Sequence, residues 1–197
     1  MISRRVLGRG PERILGLCLG LMAGPVWAGD NDVIGQALEL PAHRALIAKR
    51  QRPDTELRRF ETDGCSGGLS EVWRLVADQF EGFARTYESI PPWESCCVTH
   101  DQAYHNGVNA PDARASFAAR LLADRTLEAC VTDMGITRRD ELAEVYGITP
   151  DQVETAYATI GGAMYWAVRF GGGPCTGLPW RWGFGYPDCS VLAGDDK

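Results

Sequence analysis

A mainly α, disulfide-linked fold is what this sequence predicts, and three observations carry the prediction. Apolar residues recur at three- and four-residue intervals in several separate segments. Helix start and stop signals flank those segments. Seven cysteines lie along 197 residues, and six of them fall beyond the first 28 positions. An even set of cysteines in an exported chain implies bridges.

The elements follow in order along the chain. Residues 1–28 have the layout of a secretory signal: Arg4, Arg5, Arg9 and Arg13 precede an apolar stretch over 14–23, and Val26-Trp27-Ala28 supplies a cleavage site. The stretch is too short to span a bilayer, and nothing later is longer. Cys18 lies inside it, but Leu17 is not the small residue that a lipidated cysteine wants before it. Removing this segment takes away four arginines and one glutamate, moving the formal charge from −6 to −9. Such a balance argues against nucleic acid as a partner and against strong electrostatic adsorption to anionic lipid.

One domain is expected over 29–197. Residues 29–60 are polar and peripheral, with a short helix around 41–50. Asp63-Gly64-Cys65-Ser66-Gly67-Gly68 is a glycine-rich loop. Ser70 caps a helix that buries Val72, Leu75, Val76, Phe80 and Phe83. Pro91-Pro92 breaks the chain before a helix that Gly107 ends. Asp112 caps a third helix running to about Asp133, with Phe117, Leu121, Leu122 and Leu127 on its apolar side. Thr149-Pro150-Asp151-Gln152 opens another, with Thr as cap, Pro at the first position and Gln three residues on. Val153, Ala156, Tyr157, Ile160, Met164 and Val168 then repeat at helical spacing. From Gly171 onward the chain is rich in Gly, Pro and aromatics, a loop or short hairpin closed by Cys175 and Cys189.

Chemistry concentrates in Cys96-Cys97-Val98-Thr99-His100-Asp101-Gln102-Ala103-Tyr104. On a helix, Cys97, His100, Asp101 and Tyr104 fall at i, i+3, i+4 and i+7, on one face. A base, a carboxylate and a phenol on one clamped surface point to a catalytic or metal site. Zinc is the rival reading, but the chain has no C-x-x-C pair and only three histidines. The six cysteines allow 15 pairings, and the sequence does not choose among them.

The run CCVTHDQAY resembles the active-site helix of secreted phospholipases A2, and DGCSGG resembles their calcium-binding loop. Asp124-Arg125 followed by Cys130 is similar to their second long helix. The likeness covers residues 60–132, and the arrangement is nearest to bacterial phospholipase-A2-like proteins. It implies bridges Cys65–Cys97 and Cys96–Cys130, leaving Cys175–Cys189 for the tail. It further implies that His100 is the general base, with Asp124 orienting it and Tyr104 in the hydrogen-bond network around Asp124. Asp101 and the carbonyls of Gly64, Ser66 and Gly68 would hold Ca²⁺, since a hard cation takes six to eight oxygens. Ser66 stands where the family usually has glycine, and Ala103 where many animal members have another cysteine. After about Asp133 no family counterpart aligns.

Each feature also has a structural reading. His100 could be a buried core histidine, the glycine loop a plain turn, and Tyr104 structural rather than catalytic. His43 and His105 lack a supporting pattern and are expected at the surface. Trp180, Trp182, Phe184 and Tyr186 alternate, as in a half-buried strand more than a lipid-facing edge. Trp93 either lines the cleft or staples the start of its helix. The expected protein is a secreted or periplasmic, calcium-dependent hydrolase of phospholipid sn-2 esters that meets membranes peripherally. The alternative is a non-enzymatic calcium- or lipid-binding module on the same scaffold.

Overall fold

The structure, a computed structural model, describes residues 29–62, 64–65 and 90–189. The expected leader, Ser66, Gly68 and the helix expected from Ser70 lie outside the described residues. The described elements are α1 (Gly29–Arg50), α2 (Glu94–Asn106), a 3₁₀ turn (Gly107–Asn109), α3 (Ala113–Thr137), α4 (Arg139–Tyr146) and α5 (Pro150–Gly171). No strand occurs among the described residues, and the fold is mainly helical.

Local chemistry explains where the helices begin and end. Asp112 stands extended before α3, and its carboxylate accepts from the backbone N–H groups of Arg114 and Ala115. This satisfies two of the donors that a helix start leaves without partners. Thr149 and Gln152 form a reciprocal capping box at α5, with Pro150 at the first position. Helix α2 ends at Gly107 in the left-handed conformation, where its N–H meets the Ala103 carbonyl.

Among the described residues, three disulfides tie the elements together: Cys65–Cys97, Cys96–Cys130 and Cys175–Cys189. The first joins the Gly64–Cys65 turn to α2, the second joins α2 to α3, and the third closes the tail. Among the described elements, α3 and α5 share the largest interface. They approach closely because Gly135 faces Tyr157: a Cβ there would lie 2.3 Å from the Tyr157 Cβ. Leu127, Val131, Leu142, Val153, Tyr157 and Met164 fill the core between them. At about 25 cal/mol per Å² of apolar surface removed from water, this burial is the main force holding the helices.

A second apolar cluster joins Leu46 of α1, Tyr104 of α2, and Trp182, Tyr186 and Cys189 of the tail. The tail is pinned to the end of α2, where the carbonyls of Tyr104 and His105 accept from the N–H groups of Gly183 (2.6 Å) and Gly185 (2.8 Å). Those are carbonyls that the helix end leaves without intrahelical donors.

Several expectations need correction. Helix α1 is longer than the 41–50 expected and contains Pro41. Both Pro41 and Ala37, whose carbonyl the missing N–H would have bonded, are exposed, so water can serve that carbonyl. His43 and His105 are not surface residues, being 0% and 7% exposed. His43 Nδ1 bonds Ser116 Oγ at 2.8 Å, and His105 packs edge-on between Phe60 and Phe184. Leu122 is exposed rather than apolar lining for the core. The aromatics from Trp180 to Tyr186 lie in successive turns and not in a strand; Gly183, at φ 76°, leaves extended geometry in their middle. Trp93 belongs to the core, edge-on to Tyr157. Helix α4 was not foreseen.

Candidate active site

Helix α2 is fixed at two neighbouring points, since Cys97 bonds Cys65 and Cys96 bonds Cys130. The four-residue step from Cys96 to His100 carries the imidazole to the face packed on α3. There His100 Nε2 lies 3.1 Å from Asp124 Oδ1. Asp124 is fully buried, and the Tyr104 hydroxyl donates to the same oxygen at 2.5 Å. Arg169 of α5 donates from Nη1 to the other oxygen, Oδ2, at 2.9 Å.

These contacts fix protonation states. Burial alone would raise the Asp124 carboxyl. Hydrogen bonds from His100, Tyr104 and Arg169 and the charge of Arg120 outweigh it, holding the carboxyl below its ordinary value. An ionised carboxylate only accepts, so in the neutral ring of His100 the proton belongs at Nε2 and the lone pair at Nδ1. Burial would also depress the imidazole, but the carboxylates of Asp101 and Asp124 raise it above the usual histidine value. Burial and the Asp124 charge push the Tyr104 phenol well up, against the pull of Arg120, so it stays a donor.

His100 Nδ1 lies 3.9 Å from Asp101 Oδ1, beyond hydrogen-bonding distance. Both residues line a cleft shared with Gly64, Cys65, Met164 and Trp180. Asp101 is held from outside: Thr62 Oγ1 donates to its Oδ2 at 2.6 Å and itself accepts from the Gly64 N–H at 3.0 Å. Gly64 adopts φ 71°, a conformation that suits glycine and lets the chain turn toward the cleft. The Cys65–Cys97 bond keeps that turn beside α2.

The structure thus brings together His100, Asp101, Tyr104, Asp124 and Gly64, all singled out from sequence. Ser66 and Gly68 lie outside the described residues. Arg120, Arg169 and Glu39 were missed. Arg120 had a signal, because it lies four residues before Asp124 on one helix face. Arg169 and Glu39 had none, since only the packing of α1 and α5 brings them to Asp124.

Among the described residues no group of three or more His, Cys, Asp or Glu side chains is placed to hold a metal. A site built from one carboxylate and main-chain carbonyls is not such a group. Asp101 beside the Gly64 turn is the donor chemistry a hard cation takes, because a carboxylate oxygen can accept from Thr62 and still offer a lone pair. No helix among the described residues is long and apolar enough to cross a membrane. Compared with known proteins, the chain matches no family model, no curated protein and no solved structure.

Proposed function

We propose that this protein is a calcium-dependent hydrolase of phospholipid sn-2 esters in which His100 takes the proton of an attacking water. One observation carries the reading: His100 Nε2 lies 3.1 Å from a buried carboxylate, and the ring lines a cleft shared with Asp101 and Gly64, its Nδ1 3.9 Å from Asp101 Oδ1. A histidine serving packing alone has no need of an open ring nitrogen beside a second, partly exposed carboxylate.

In this reading the lone pair at Nδ1 accepts a proton as water attacks the ester carbon. The positive charge on the ring is met by Asp124, whose orientation Tyr104 and Arg169 maintain. The same nitrogen then gives the proton to the departing alkoxide, so no covalent intermediate is needed. Asp101 and the carbonyls of Gly64, Ser66 and Gly68 would hold Ca²⁺, whose charge, when bound, would polarise the ester carbonyl and attract the phosphate. Apolar walls from Met164, Ala167 and Trp180 would receive an acyl chain. Three disulfides suit an oxidising compartment, in keeping with export.

Release of fatty acid from mixed phospholipid micelles tests the proposal. His100→Gln should lower turnover by about 10²–10⁴-fold, the usual contribution of a general base. Full activity in that variant would reject the reading. Stabilisation by Ca²⁺ without turnover on any phospholipid would favour a binding module instead.

A further inference from the structure

The carboxylate behind His100 is held by a chain of charges that begins in α1 and ends in α5. Glu39 Oε1 accepts from Arg169 Nη2 at 2.6 Å, and Arg169 Nη1 reaches Asp124 Oδ2 at 2.9 Å. Glu39 Oε2 pairs with Arg120 Nη1. Arg120, fully buried, gives three further donors to the Tyr104 hydroxyl (3.2 Å) and to the carbonyls of Val168 (2.7 Å) and Arg169 (2.8 Å). It therefore fixes the turn of α5 that carries Arg169. The charged and titratable groups gathered around Asp124 are Glu39 and His43 from α1, His100, Asp101 and Tyr104 from α2, Arg120 from α3 and Arg169 from α5.

The division of labour across Asp124 is sharp. Oδ1 takes both groups from α2, and Oδ2 takes Arg169, with Arg120 Nε at 4.0 Å, too far to replace it. A carboxylate swings readily about its last torsion unless both oxygens are engaged. Without Arg169, Oδ2 would be a buried acceptor with no donor, and rotation toward Arg120 would carry Oδ1 away from His100. Two guanidiniums and two carboxylates also balance, which makes so buried a set tolerable.

We propose that Arg169, braced by Glu39, is a positioning residue that locks Asp124 in the one orientation presenting Oδ1 to His100, so that α1 and α5 complete a working site centred on α2 and α3. The word "working" rests on the hydrolase reading above; the positional claim does not.

The full chain labelled with ¹⁵N-histidine offers a direct readout. It contains three histidines, and the His100 ring signal is identified by its loss in His100→Gln. A ring proton bonded to a buried carboxylate should be visible and protected from exchange in the parent protein. Arg169→Gln should abolish that protection and lower kcat by about 10–100-fold with KM unchanged, as for other groups that orient a reacting residue. Arg169→Lys should restore part of both. A clamp that only stabilised the fold would lower the melting temperature yet leave the ring proton protected and kcat intact. That outcome in folded Arg169→Gln, or absence of a protected ring proton in the parent, would overturn the proposal. If Arg169→Gln does not fold, Glu39→Gln decides, with the same loss expected in smaller degree and an unchanged signal contradicting it. Should the parent turn over no lipid, the ring proton alone decides, and only the hydrolase reading falls.

Discussion

Asp124 is the residue on which most of the site's geometry converges. It is fully buried, ionised, and engaged through both oxygens. Asp124→Asn keeps the volume but puts an uncharged amide against Arg169 and Arg120. Breaking a buried pair in this way should cost about 3–5 kcal/mol in urea unfolding. Tyr104→Phe removes the bond to the charged Asp124 acceptor, takes the acceptor from Arg120 Nε, and keeps the ring that packs on Trp182. It should cost about 1.5–3 kcal/mol while turnover survives at a reduced level; complete loss of turnover would make the phenol a catalytic group. The carboxyls of Asp124 and Glu39 sit below their ordinary values of 3.8 and 4.5. Each therefore adds stability that is full above those values and is lost as pH falls through the lowered folded ones. His100, raised above 6.5, has the opposite sign: its contribution is full below 6.5 and vanishes as pH rises through its folded value. Urea midpoints of the parent and Asp124→Asn should converge as pH drops below 3.8, and a constant gap would show that Asp124 does not titrate as described.

At the scale of elements, what could be read from the sequence was whatever local chemistry decides. Asp112, Thr149 with Gln152, and Gly107 mark helix ends by caps that work within a few residues, and all three ends are present. Thr149→Ala should lower stability by about 1 kcal/mol through lost capping, measured by thermal unfolding. Features decided by distant contacts were not legible. Helix α1 runs through Pro41 because Glu39, His43 and Leu46 find partners on α3, α5 and the tail, outweighing a weak local propensity. The aromatic run near the C-terminus alternates like a strand, yet it turns at Gly183 so that its backbone can cap α2. Likewise His100, Asp101 and Tyr104 were found by their spacing on one helix. Arg169 and Glu39 could not be, since they are 130 residues apart in the chain and meet only through packing.

For the whole molecule, sulfur bridges make one site out of pieces far apart in sequence. Cys65–Cys97 closes 32 residues and holds the Gly64 turn against α2. Replacing both cysteines by serine should cost about 2–5 kcal/mol. Because Cys96–Cys130 would remain, the His100–Asp124 pair should persist, while the calcium-dependent stabilisation that the proposed function requires should be lost, which a melting curve with and without the ion would read. In the proposed function, His100 activates water beside a calcium ion that Asp101 would hold. Its most direct test is fatty-acid release from phospholipid micelles by the purified protein in calcium and after chelation. Hydrolysis at the sn-2 ester is expected in calcium, abolished by chelator and restored by adding the ion back. Hydrolysis that is indifferent to chelation, or none on any phospholipid, would contradict it.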